Sequence, residues 1–101
     1  MGSGASEPLK VTRYGQAVWR TFTGKAGQTV SEVLTGLDTS DNGCANLYLI
    51  EPGGATLDHN GTCGNGSTIT IGPDTLPKKG TYKVELVIST TATGGGKLKV
   101  S

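Results

Sequence analysis

The most constraining feature of this sequence is the alternation of apolar and polar residues in short runs. It is clearest near the end of the chain, where Tyr82, Val84, Leu86 and Ile88 fall on one side of an extended segment. Successive side chains of a strand point to opposite faces, so this pattern predicts half-buried β-strands. No stretch of helical length shows the i, i+3, i+4, i+7 spacing of an amphipathic helix. The chain is therefore predicted to be all-β.

About eight such runs are expected to form strands, and glycine, proline, asparagine or aspartate lies between them. Many short strands separated by turn signals are typical of an antiparallel β-sandwich. The expected strands are residues 9–14, 17–23, 29–34, 45–50, 55–57, 67–71, 81–89 and 96–101. The expected core-facing residues are Val18, Phe22, Val30, Leu34, Leu47, Leu49, Ile69, Ile71, Tyr82, Val84, Leu86, Ile88, Leu98 and Val100.

Length and charge limit what the chain can be. With 101 residues it has room for one domain with a single modest core. A formal net charge of +1 produces no field that would favour nucleic acid or an acidic membrane as a partner. No segment approaches the length of a membrane span. The small residues of "MGSGASEP" predict that 1–8 is a flexible leader and that 9–101 is the folded domain.

Two charged residues interrupt the inward apolar phase. Arg20 and Glu32 each lie between two apolar residues on the core-facing side of a predicted strand. If 17–23 and 29–34 form an antiparallel hairpin, Arg20 lies opposite Glu32. A charge on the inner face is tolerated when it is partnered, so we predict a structural ion pair between them. The alternatives are a bulge or strands that lie in opposite sheets.

Three motifs in order, "FTGKAGQTV", "EPGGATL" and "LPKKGTY", resemble bacterial pre-peptidase C-terminal-like (PPC-like) domains. The similarity covers residues 15–101 and is greatest to the domains of large secreted or wall-associated bacterial proteins, including some with RHS repeats. Arg20 and Glu32 stand where such domains usually have apolar residues, and "EPGG" replaces a more usual Pro-Asp-Gly. The resemblance implies a jelly-roll-like β-sandwich.

The resemblance also implies a function, which is that of a non-catalytic structural or interaction module in a secreted or cell-surface multidomain protein. Its partners would be the neighbouring domains of the same polypeptide, and in isolation it would be a monomer. No active site is recognisable in the residues themselves. His59 follows Asp58 in a turn, and no serine lies in a Gly-x-Ser-x-Gly elbow. We therefore expect no enzymatic activity and no cofactor.

Cys44 and Cys63 are the only cysteines. In a small glycine-rich chain that resembles exported proteins, an even number of cysteines favours a disulfide. The weaker alternative is zinc coordination together with His59, which no CxxC pair supports. We predict a Cys44–Cys63 disulfide.

The stretch "DTSDNG" is similar to the opening of a calcium loop, with Asp38 and Asp41 as ligands. The bidentate carboxylate that such a loop requires further on is replaced by Leu49. An Asn-Gly turn into the next strand is therefore the favoured interpretation, with a calcium site as the alternative.

Two aromatic residues suggest a second possible function. By alternation Trp19 and Tyr48 face outward, and flat aromatic side chains exposed on a sheet are suited to stacking on sugars. The alternative to a structural module is therefore a carbohydrate-binding module whose ligand is a glycan or wall polymer.

Overall fold

The chain forms strands over nearly all of its folded length. A computed structural model describes residues 6–13, 17–40, 42–88 and 92–100. The prediction of an all-β chain with about eight strands is confirmed, and none of the described residues forms a helix that could cross a membrane. The strands are β1 (Ser6–Val11), β2 (Val18–Gly24), β3 (Thr29–Thr39), β4 (Cys44–Ile50), β5 (Thr56–Cys63), β6 (Ile69–Thr75), β7 (Gly80–Ile88) and β8 (Gly94–Val100).

The strands pair into two four-stranded antiparallel sheets, ordered β1-β8-β3-β6 and β2-β7-β4-β5. Two four-stranded sheets in this order make a jelly roll. Strands that follow each other in sequence often lie in opposite sheets, and β2 and β3 are such a pair. β2 and β3 are therefore not paired with each other. The connection between them is hydrogen-bonded to Leu76: Gly27 N donates to Leu76 O at 2.8 Å, and Leu76 N donates to Gln28 O at 2.8 Å.

The core lies between the two sheets and follows the predicted alternation. All the expected inward residues are buried except Val18, which is half-buried and packs against the others. Burying one such aliphatic or aromatic side chain stabilises the fold by about 1.5–3 kcal/mol. Buried hydrophobic residues that the alternation did not predict are Leu9, Val11, Leu37, Ala45, Leu76 and Ala92.

Several strand boundaries differ from the prediction. β1 begins at Ser6, inside the segment expected to be a leader, and Pro8 is a Cα partner of Lys97. β5 runs over Thr56–Cys63, although "DHNGTC" was expected to be a loop. β5 is an edge strand that pairs only with β4. An edge strand tolerates glycine and asparagine, which weaken a central strand.

The predicted ion pair between Arg20 and Glu32 is wrong. Arg20 lies on the edge strand β2, where its guanidinium donates to Pro8 O at 2.9 Å and to Trp19 O at 3.3 Å. It thereby ties β2 to β1 across one edge of the sandwich. Glu32 lies on β3, between β8 and β6 in the other sheet. The hairpin assumption failed because the short connection crosses from one sheet to the other.

Candidate ligand-binding face

One row of large side chains crosses the whole outer face of the β2-β7-β4-β5 sheet. Trp19 is the Cα partner of Glu85, Glu85 is the partner of Tyr48, and Tyr48 is the partner of His59. Residues directly opposite each other in adjacent strands share a face. We call these four residues the aromatic row. Neighbouring strands lie about 4.8 Å apart, so Trp19 and Tyr48 are separated by roughly 10 Å.

Trp19 supplies the exposed ring of the row. It is 49% exposed and is the only exposed large hydrophobic side chain among the described residues. Lys83 Nζ lies 4.9 Å from the centroid of the Trp19 ring, within the range of a cation–π contact. This contact holds the ring against the sheet while half of the side chain stays accessible to a ligand.

Tyr48 and His59 form the other end of the row. Tyr48 is half-buried, and the centroid of its ring lies 5.8 Å from that of His59 with a tilt of 37°. The prediction that Trp19 and Tyr48 face outward agrees with this arrangement. Sequence reasoning treated His59 as an isolated turn residue, because the pairing of β4 with β5 was not predicted.

Glu85 places a carboxylate between the two larger aromatic side chains. It is half-buried, and within the described part of the chain no hydrogen bond or ion pair involves its side chain. An ionised carboxylate only accepts hydrogen bonds, and its two oxygens have about four lone-pair positions. The row therefore presents an aromatic face, an acceptor, a second aromatic face and an imidazole in sequence across the sheet.

A disulfide closes the hairpin that carries half of the row. Cys44 is bonded to Cys63, as predicted, and the two residues are Cα partners in β4 and β5. Because the bond joins both cysteines, they are not available as zinc ligands. It also holds the register of the hairpin on which Tyr48 and His59 face each other.

The described residues of "DTSDNG" lie at the end of β3 and just before β4. Asp38 lies in β3, whereas Asp41 lies outside the described residues. Asn42 has a positive φ of 52°, and Thr39 Oγ1 accepts a hydrogen bond from Gly43 N at 2.8 Å. Over the ranges that the structure describes, no three His, Cys, Asp or Glu side chains are grouped to hold a metal ion. Because Asp41 lies outside those ranges, a calcium site with Asp38 and Asp41 stays a prediction.

A concave feature lies on the opposite side of the molecule. It is an open depression of about 490 Å³ on the β1-β8-β3 part of the other sheet, with Lys10, Thr35 and Lys97 among its lining residues. Glycines 94–96 are also part of its lining. A Cβ atom on Gly95 would lie 1.8 Å from Leu9 O, so only glycine fits this close approach. The depression shares no residue with the aromatic row.

Comparison with known proteins shows the fold alone. No protein-family model matches the sequence, and no curated protein matches it. Among solved structures, the CBM36-1 domain of a multidomain xylanase from the hindgut metagenome of Trinervitermes trinervoides is similar. It is 18% identical with a TM-score of 0.61, and the match covers 99% of this chain and 87% of that domain.

Two further structures share the fold. Aeromonas hydrophila PliG, a periplasmic inhibitor of g-type lysozyme, is 22% identical with a TM-score of 0.60, and the match covers 96% of this chain and 83% of PliG. A carbohydrate-binding module CBM36 in complex with calcium and xylotriose is 14% identical with a TM-score of 0.56, and the match covers 99% of this chain and 91% of that one. These likenesses show that the chain shares a small β-sandwich fold with these proteins.

Proposed function

We propose that this chain is a non-catalytic carbohydrate-binding module of an exported multidomain bacterial protein. The observation that carries the proposal is the aromatic row, in which Trp19 and Tyr48 flank the carboxylate of Glu85 on one outer face. An aromatic face packs against the C–H face of a pyranose ring, and the carboxylate accepts hydrogen bonds from hydroxyl groups. Both kinds of contact are made without moving the backbone of the sheet.

The composition of the row favours a glycan over a protein partner. A stable protein interface buries about 800 Å² on each partner and has a continuous apolar centre. Here a single exposed indole is followed by a carboxylate, a half-buried phenol and an imidazole. The roughly 10 Å between Trp19 and Tyr48 along the row is of the order of the length of a disaccharide. An extended glycan lying across the strands would place alternate sugars over the two rings.

Two further findings support the proposed ligand class and the proposed location outside the cytoplasm. Two of the similar folds belong to carbohydrate-binding modules, and one of these was solved with xylotriose. The disulfide between Cys44 and Cys63 favours an oxidising compartment outside the cytoplasm. Both are consistent with the PPC-like resemblance, from which we propose neighbouring domains of the same polypeptide as the module's other partners.

The chain offers a direct test, because Trp19 is its only tryptophan and lies in the proposed site. Soluble fragments of xylan, cellulose, chitin and peptidoglycan are titrated while its fluorescence is recorded. We expect a saturable change with at least one of them. In calorimetry, Trp19→Ala and Tyr48→Ala should each weaken that binding roughly tenfold, the equivalent of about 1.4 kcal/mol.

The matched control lies in the depression on the opposite sheet. Lys97→Ala changes an exposed residue there and should leave affinity unchanged. Thermal unfolding of every variant checks that the fold survives. The proposal fails if no fragment binds saturably, which would leave a structural role beside neighbouring domains. It also fails if Lys97→Ala abolishes binding and Trp19→Ala does not, because the depression would then be the site.

A further inference from the structure

A β-bulge turns one acidic side chain toward the inside of the sandwich. In the pairing of β3 with β6, Glu32 is the partner of Ile71 and Val30 is the partner of Asp74. Between these two pairs β3 has one residue and β6 has two, so β6 contains one extra residue. Simple alternation from Ile71 would point Asp74 outward. The extra residue reverses the phase and puts Asp74 on the inward side with Val30, because a bulge redirects the side chains that follow it.

A second bulge lies in β5, directly next to Asp58. Leu49 is the partner of Asp58 and Ile50 is the partner of Thr56, so Leu57 is the extra residue. Leu49 is fully buried, and residues directly opposite each other share a face. Asp58 therefore points to the inner side of an edge strand. β5 and β6 are edge strands of the two sheets. They contact each other, so they lie at the same edge of the sandwich.

Three carboxyl groups meet at this edge, and we call Glu32, Asp58 and Asp74 the acidic seam. Glu32 is 0% exposed, and neither of its carboxylate oxygens has a hydrogen-bond partner. Oδ2 of Asp74 is likewise buried without a partner. Burial, and then the nearby charges of Asp74 and Asp58, raise the pKa of Glu32 to about 7. Burial, and then a hydrogen bond with the Asp58 side chain, raise the pKa of Asp74 to about 6.

No described cation compensates these groups. On β8 the residue paired with Glu32 is Val100, and on β4 the residue paired with Asp58 is Leu49, so neither paired position carries a charge. The two lysines of β8, Lys97 and Lys99, are exposed on its other face. Arg20 lies at the opposite edge of the sandwich, where it bonds to the β1 backbone. The charged groups that face Glu32 within the described residues are therefore the other two carboxyls of the seam.

We propose that the acidic seam is a proton-operated lock on the β5–β6 edge. While Glu32 and Asp74 keep their protons, the edge strands stay together. When these protons leave, like charges at the edge repel each other. β5 and β6 belong to different sheets, so no ladder of backbone hydrogen bonds between them opposes the repulsion. A side-chain bond from Asn60 Nδ2 to Thr70 O, at 2.9 Å, links the two strands there. The loosened edge includes His59, one end of the aromatic row.

The direction of the effect follows from the raised pKa values. Between the unfolded value of 4.5 and the folded value of about 7, folded Glu32 binds more protons than unfolded Glu32. Its contribution to stability is fully present below the unfolded pKa and is lost as the pH rises through the folded pKa. A shift from 4.5 to about 7 changes the unfolding equilibrium constant by roughly 300-fold across that window.

Urea unfolding at about pH 5 and about pH 8.5 tests the lock. Wild-type protein should unfold more readily at the higher pH. Glu32→Gln imitates the protonated side chain. Its unfolding equilibrium constant should change between the two pH values by a factor at least tenfold smaller than that of wild type, and it should be more stable than wild type at the higher pH. Asp74→Asn tests the same point if Glu32→Gln does not fold. Asp38→Asn removes an exposed carboxylate elsewhere on β3 and should keep the wild-type pH dependence.

Hydrogen exchange shows where the edge opens. After correction for the intrinsic exchange rate, amides of Ile69–Thr75 should lose protection at high pH while those of the β4–β7 pair keep it. Uniform loss across both sheets would overturn the proposal, as would a wild-type pH dependence in Glu32→Gln. Saturable stabilisation by calcium chloride at high pH that Glu32→Gln abolishes would also overturn it, because the seam would then be a metal site.

Discussion

Tyr82 anchors the turn that precedes β7, and one substitution isolates how it does so. Its phenol donates to Lys78 O at 2.5 Å, and Lys78 N donates to the same phenol oxygen at 3.3 Å. The ring is fully buried and is stacked on Phe22, with centroids 5.6 Å apart and an interplanar angle of 18°. Tyr82→Phe keeps the ring and its packing and removes only the oxygen.

The magnitude follows from what the oxygen does. A neutral intramolecular hydrogen bond contributes about 0.5–1.5 kcal/mol net, and a donor or acceptor left without a partner costs about 1–3 kcal/mol when it is buried. The bonds to Lys78 are only part-buried, so water replaces some of what is lost. We expect Tyr82→Phe to lower the free energy of unfolding by about 1–2 kcal/mol, which for a domain of this size lowers Tm by about 4–16 °C.

The assay is urea unfolding followed by Trp19 fluorescence. The m value should not change, because the surface exposed on unfolding is nearly the same. Tyr48→Phe is the matched control, since no described hydrogen bond involves its phenol and its effect should stay within about 0.5 kcal/mol. Equal losses in the two variants, or no loss in Tyr82→Phe, would refute the anchoring role.

Two more predictions concern the cysteines and the charged residues of the inward phase. Replacing Cys44 and Cys63 together by alanine should lower the free energy of unfolding by about 3 kcal/mol, because the bond joins residues separated by 19 positions. Equal urea midpoints with and without the bond would contradict this. Arg20→Ala and Glu32→Gln should have additive effects within about 0.5 kcal/mol in a double-mutant cycle, because the residues lie in different sheets and share no hydrogen-bond partner. A larger coupling energy would restore the ion pair.

The sequence predicted best what depends on alternation alone. In β7 the period of two is unbroken, and Tyr82, Val84, Leu86 and Ile88 are all buried as expected. Exposed Trp19 followed from the same rule. These properties depend on neighbours in sequence and on burial of one face, both of which can be read from the order of residues.

Pairing between distant strands could not be predicted in this way. Arg20 and Glu32 appeared complementary because their strands are consecutive, but a jelly roll places those strands in different sheets. The bulge at the cis Gly72–Pro73 bond reverses the phase of Asp74, and no rule of alternation shows where a bulge occurs. Glu85 joined the candidate site only because β7 lies between β2 and β4.

The pairing of the first strand with the last has a mechanical consequence. β1 and β8 are antiparallel neighbours, and Ser6 is the Cα partner of Lys99, so the two ends of the sandwich lie side by side. Tension applied through these ends acts across the ladder rather than along it. The hydrogen bonds of the pair would then break one after another, as in opening a zipper, and not all at once. A module attached through both ends would peel open from β1 under load, while the disulfide-closed hairpin in the other sheet lies outside the line of force.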